Sequence, residues 1–111
     1  MAEEKRKAPR FSLHQLIRLS SNREEFLQAE GINISLTGVL LHTEAAIDLY
    51  TTLFLMFEVE TEEETYLFKT EGIVMRSEKE NDYYSIGLQF TELTEEEKKH
   101  LKQYIEYLNS P

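Results

Sequence analysis

The chain has 111 residues, no cysteine and a formal net charge of −9. That length supports one domain whose core removes roughly two-thirds of the unfolded surface from water, while the lack of cysteine excludes disulfides and thiolate metal sites and suits a reducing cytoplasm. The acidic balance disfavours nucleic acid or an anionic membrane as partner, and the longest purely apolar stretch, Leu53 to Phe57, is far short of the roughly 20 residues a membrane span needs.

No apolar stretch follows Met-Ala-Glu-Glu-Lys-Arg, so no signal peptide is expected. Residues 1–9 are polar and aperiodic and read as a flexible arm, kept extended at Ala8 by Pro9. The arm is basic. Lys5, Arg6, Lys7 and Arg10 place four of the twelve basic residues in six positions, on a chain with acidic runs at Glu62–Glu64 and Glu95–Glu97. A local basic cluster on an acidic body suits a small anion better than a long polyanion.

Residues 10–111 read as one domain. The spacing predicts strands from Phe11 to about Leu19, from Phe26 to Ile34 with a bulge at Gly31, from Gly38 to His42, from Leu53 to Glu60, from Tyr66 to Arg76 and from Tyr83 to Phe90. Ser20–Arg23 and Glu62–Glu64 read as turns, Glu44–Thr51 as a loop or single helical turn, and Ser77–Asp82 as a polar loop. Six short strands at this spacing suggest an antiparallel barrel or sandwich. Thr94 with Glu97 forms a capping box, and Leu101, Tyr104, Ile105 and Leu108 make the apolar stripe of a helix over about 94–108.

Two short motifs carry chemistry. Arg6 and Arg10 are spaced R-x-x-x-R on extended backbone, up to about 13–14 Å apart at the Cα atoms. Each guanidinium can hold a phosphate with two donors, bond guanine O6 and N7, or stack on a base. Asn33-Ile34-Ser35-Leu36-Thr37-Gly38 has the form N-x-S-x-x-G. Alternation on a strand predicts Asn33 and Ser35 on one face and Ile34 on the other, an amide beside a hydroxyl. Gly38 supplies a positive-φ turn or a close approach that a Cβ would block.

In this order, at the front of a β-rich chain, the motifs resemble the two halves of the ligand site of the PilZ domain family. Phe11 after the second arginine, Gly72-Ile73-Val74-Met75-Arg76, Tyr84-Ser85-Ile86-Gly87-Leu88-Gln89-Phe90 and the terminal helix extend the resemblance over residues 5–108. It implies a mainly β fold, a six-stranded antiparallel split barrel with a C-terminal α-helix. It also implies a cytoplasmic receptor for the bacterial second messenger cyclic di-GMP, with no cofactor and no catalysis, that signals through an unidentified downstream protein in motility, exopolysaccharide or chemotaxis control. The residues carried over are Arg6 and Arg10 for guanine and phosphate, Asn33 and Ser35 for the guanine edge or phosphate, and Gly38 for the turn. Lys5, Lys7 and Arg76 are further candidates. Lys5 and Lys7 lean towards a stacked pair of ligands per protomer over a single one. Two departures from the family pattern stand out: Thr37-Gly38 where many members have Gly-Gly, and Leu49-Tyr50-Thr51 where many have a glycine.

His14, His42 and His100 are scattered and lack partner carboxylates at a metal or catalytic spacing, so neither a catalytic group nor a metal site is expected. Phe54, Phe57, Phe68, Tyr84 and Phe90 read as core, and Tyr50, Tyr66 and Tyr83 as partly exposed. Two alternatives remain. One is a PilZ-like interaction module that has lost the nucleotide. The other is a small oligonucleotide-binding barrel, which would want a basic groove with exposed aromatics and so fits poorly with a charge of −9.

Overall fold

The computed structural model describes residues 10–109; the basic arm, with Lys5, Arg6 and Lys7, lies outside them. Among the described residues, six strands precede one helix: β1 (Phe11–Ser20), β2 (Leu27–Ile34), β3 (Gly38–Thr43), β4 (Thr52–Glu60), β5 (Thr65–Lys79), β6 (Tyr84–Phe90) and α1 (Glu95–Leu108). All neighbouring pairs are antiparallel, and the order β1-β2-β3-β6-β5-β4 closes on itself through β4 and β1. The closing seam is short: β1 and β4 pair only through Arg18, Leu19 and Ser20 against Met56, Leu55 and Phe54.

Period-two alternation fills the barrel. Ile17 and Leu19 of β1, Ile34 of β2, Val39 and Leu41 of β3, Leu55 and Val59 of β4, Val74 of β5 and Ile86 of β6 all point inward and are buried. Each such side chain contributes about 1.5–3 kcal/mol of burial. The helix lies against β4 and β1. Its stripe buries Leu101, Tyr104 and Ile105, and the capping box forms as the sequence predicts, with Thr94 accepting from the Glu97 N–H and Glu97 from the Thr94 N–H. The Tyr104 hydroxyl donates to Gln15 Oε1, and Gln15 Nε2 donates to the Glu58 carbonyl at 2.8 Å. One glutamine thereby ties helix, β1 and β4 together.

Three strands carry an extra residue. In β1, Leu13 and His14 stand opposite the single Ile32, and His14 takes φ 53°. In β2, Ile32 is extra against β3, one position beyond the glycine expected there. In β5, Met75 is extra against β6. Such bulges shift the phase of the side chains that follow.

Two expectations change. The polar stretch Ser77–Asp82 is not all loop, because Ser77, Glu78 and Lys79 pair with Ile86, Ser85 and Tyr84 and lengthen β5 to Lys79. Ladder hydrogen bonds to β6 outweigh the polar composition there. Phe54 is not core: it faces outward, edge-on to Phe26, with the Arg23 guanidinium 4.3 Å above its ring. Arg23 also pairs with Glu71 at 2.9 Å, and this cluster pins the β1–β2 loop to the barrel wall. Phe57, Phe68 and Phe90 are buried, and Tyr84 is partly buried against the core. Residues 44–51 form a loop without helix.

Candidate functional site

The two motifs meet at the start of β1. Arg10 Nη1 donates to Asn33 Oδ1 at 2.9 Å, and the backbone of Ser12 pairs with that of Asn33. The β2 bulge makes this possible. Ala29 and Gly31 are buried, so strict alternation would also send Asn33 into the core. The extra residue Ile32 reverses the phase. Ile34 then points in, and Asn33 is half-exposed on the outer surface.

Ser35 does something else. It lies beyond the end of β2 and is only 2% exposed. Its Oγ accepts from the N–H groups of Thr37 at 3.1 Å and Gly38 at 3.3 Å, and it lies 3.1 Å from Thr37 Oγ1. The Ser35 N–H in turn donates to the Gly38 carbonyl at 2.9 Å. The hydroxyl is thus spent inside the β2–β3 turn, and no amide-beside-hydroxyl pair forms. Its strand-like place in the sequence hid that turn role.

Gly38 is required by space. No glycine among the described residues has positive φ. A Cβ on Gly38 would stand 2.2 Å from the carbonyl oxygen of Leu88, on the neighbouring strand β6. Backbone crowds backbone here, and only hydrogen fits.

Arg76 joins the same surface. Phe68, Thr70, Gly72 and Val74 are buried, so alternation would bury Arg76 as well, and the bulge at Met75 turns it out. Cross-strand pairing runs in one row from Ser12 to Asn33, Leu40, Gly87 and Arg76. Asn33 and Arg76 are three strand spacings apart, roughly 14 Å along the wall. Between them stand Leu40, half-buried, and Gly87, which has no side chain. A Cβ on Gly87 would come 3.2 Å from Arg76 Cβ. The row therefore has a basic or polar group at each end and a low middle. Arg76 Nη2 donates to Glu78 Oε1 at 2.7 Å, and this hydrogen bond, with the charge behind it, holds the Glu78 carboxyl below its ordinary pKa. Glu78 carries no signal of its own in the sequence, whereas Gly87 stands in the Tyr84–Phe90 segment that resembles the family, as a glycine inside a strand, which often marks a close approach.

Among the described residues, no group of histidine, aspartate and glutamate is arranged to hold a metal ion, and no helix is long and apolar enough to cross a membrane.

These features define a small closed antiparallel barrel with a polar row across its outer wall. The chain belongs to the PilZ domain family, whose model matches residues 4–107. Several solved structures share the fold. The Bacillus subtilis inhibitor of motility, MotI, matches with TM-score 0.78 and 21% identity over 91% of this chain. The chain spans about half of that protein, 49% of its length. The PilZ domain of YcgR from Escherichia coli, solved with c-di-GMP, matches with TM-score 0.74 and 12% identity over 94% of this chain and 91% of that one. The Klebsiella pneumoniae MrkH–c-di-GMP complex matches with TM-score 0.65 and 18% identity over 88% of this chain and 48% of that one. No curated protein matches by sequence.

Proposed function

We propose that this protein is a cyclic di-GMP receptor that binds the messenger without turning it over and signals through a partner protein. The observation that carries the reading is the 2.9 Å contact between Arg10 and Asn33, which brings the two motif halves onto one outer face. A guanidinium offers paired donors to phosphate or to guanine O6 and N7, and an amide offers both a donor and an acceptor to a base edge. The neighbours solved with c-di-GMP support the choice of ligand.

In this reading Arg10, with Arg6 from the preceding segment, takes guanine and phosphate, and Lys5 and Lys7 add positive charge. Asn33 reads a guanine edge. Ser35 and Gly38 act through the turn that sets where Asn33 stands, and Arg76 receives a second anionic group at the far end of the row. The protein works in the cytoplasm, and its output lies in motility, exopolysaccharide or chemotaxis control. The likeness to an inhibitor of motility favours the first.

Calorimetric titration of cyclic di-GMP into the wild type and Arg10→Ala tests the proposal. A charge-assisted hydrogen bond is worth about 1.5–3 kcal/mol, so the variant should bind at least about tenfold more weakly. Absence of binding by the wild type would overturn the receptor reading and leave a protein-interaction module.

A further inference from the structure

Arg76 and Glu78 stand two residues apart on the outer side of β5, and both follow the Met75 bulge. Their contact is short, 2.7 Å, yet the side chains remain 57% and 53% exposed. Exposed pairs of this kind are weak, so the partner of Arg76 is readily exchanged. A carboxylate and a phosphate present the same paired oxygens to a guanidinium fork. Gly87, directly across from Arg76, leaves the surface between Arg76 and Leu40 low, so a ligand lying along the row towards Asn33 meets no side chain at that position.

The geometry points to Glu78 as a built-in competitor for the ligand: its carboxylate occupies Arg76 in the free protein and must release it to a phosphate of the bound cyclic dinucleotide. The inference rests on the cyclic di-GMP reading. The exchange trades one anion for another on the same cation, then leaves Glu78 beside the incoming phosphate. Both effects lower affinity. Glu78 would thereby raise the messenger concentration at which the receptor fills without touching the ligand itself.

A double-mutant cycle read by calorimetry with cyclic di-GMP tests this on the full chain: wild type, Glu78→Gln, Arg76→Ala and both together. Glu78→Gln should bind about three- to fivefold more tightly, the factor that an exposed ion pair supplies. Arg76→Ala should bind more weakly. Adding Glu78→Gln to Arg76→Ala should change the dissociation constant less than about twofold, because the competitor no longer has a cation to hold. An unchanged dissociation constant for Glu78→Gln overturns the inference. So does a full gain that persists without Arg76, which would mean plain repulsion of the ligand. If the wild type binds no cyclic di-GMP, the receptor reading itself fails and the inference with it, an outcome distinct from the other two.

Discussion

Asn33 and Arg76 are turned to the same outer surface by the same device. Each directly follows an extra residue, Ile32 in β2 and Met75 in β5, and each would face the core if its strand alternated without interruption. The backbone row that joins them passes through Leu40 and Gly87. Two bulges on strands distant in sequence thus build one polar strip. Bulges are enriched beside binding sites because they re-aim side chains at little cost to the rest of the ladder.

Gly38 is expected to be indispensable for stability. A methyl group there would sit 2.2 Å from the Leu88 carbonyl oxygen, and a backbone atom in a central ladder cannot swing aside. Gly38→Ala should destabilise the fold by at least about 2 kcal/mol. Urea denaturation measures this directly, and an unchanged midpoint would show that β3 and β6 can part at no cost.

Tyr50 is expected to gain from becoming glycine. Its φ of 68° is left-handed, and the side chain is 70% exposed, so little packing compensates the strain. The Tyr50 N–H donates to the Val74 carbonyl at 2.7 Å, which holds the residue in place just before the Met75 bulge. Tyr50→Gly should raise stability by about 0.5–1 kcal/mol after the greater freedom of the unfolded chain is counted. A lower melting temperature for the variant would contradict this.

Tyr104 makes stability depend on alkaline pH. Burial, reinforced by the Glu60 charge, raises its pKa from 10.0 to about 12. The folded state then keeps a proton that the unfolded state loses, so this contribution is complete below pH 10 and disappears as pH rises from 10 to 12. Tyr104→Phe removes the titrating group and its bond to Gln15. The variant should lose about 0.5–1.5 kcal/mol at neutral pH, and the gap between the two proteins should narrow above pH 10. Melting curves of both from pH 8 to pH 12 (roughly the window the shift defines) provide the check, and a gap that stays constant would show that Tyr104 does not titrate differently on folding.

Much of the fold was legible because its causes are local. The capping box at Thr94 and Glu97, the stripe of Leu101, Tyr104 and Ile105, and the alternation in β4 each depend on residues within a few positions of one another. The motif residues Arg10 and Asn33 were legible as types suited to anions and guanine, and so was the closeness that the family resemblance implied. Other features escape simple alternation and composition. Alternation was expected to set Ser35 beside Asn33, but the β2–β3 turn draws the Ser35 hydroxyl inward onto the N–H groups of Thr37 and Gly38. Composition marked Ser77–Asp82 as loop, but β6 recruits Ser77, Glu78 and Lys79 into its ladder.

The sequence alone therefore determined the β-rich class, the strand periods, the helix with its cap, and the inventory of arginines, amide and glycines. Only the tertiary structure decided which of them share a surface. An extra residue in a strand reverses every later side chain, and its position depends on the partner strand's register, which no local pattern encodes. That is why Arg76, Gly87 and Glu78 join Asn33 on one wall only once β2, β3, β6 and β5 have paired.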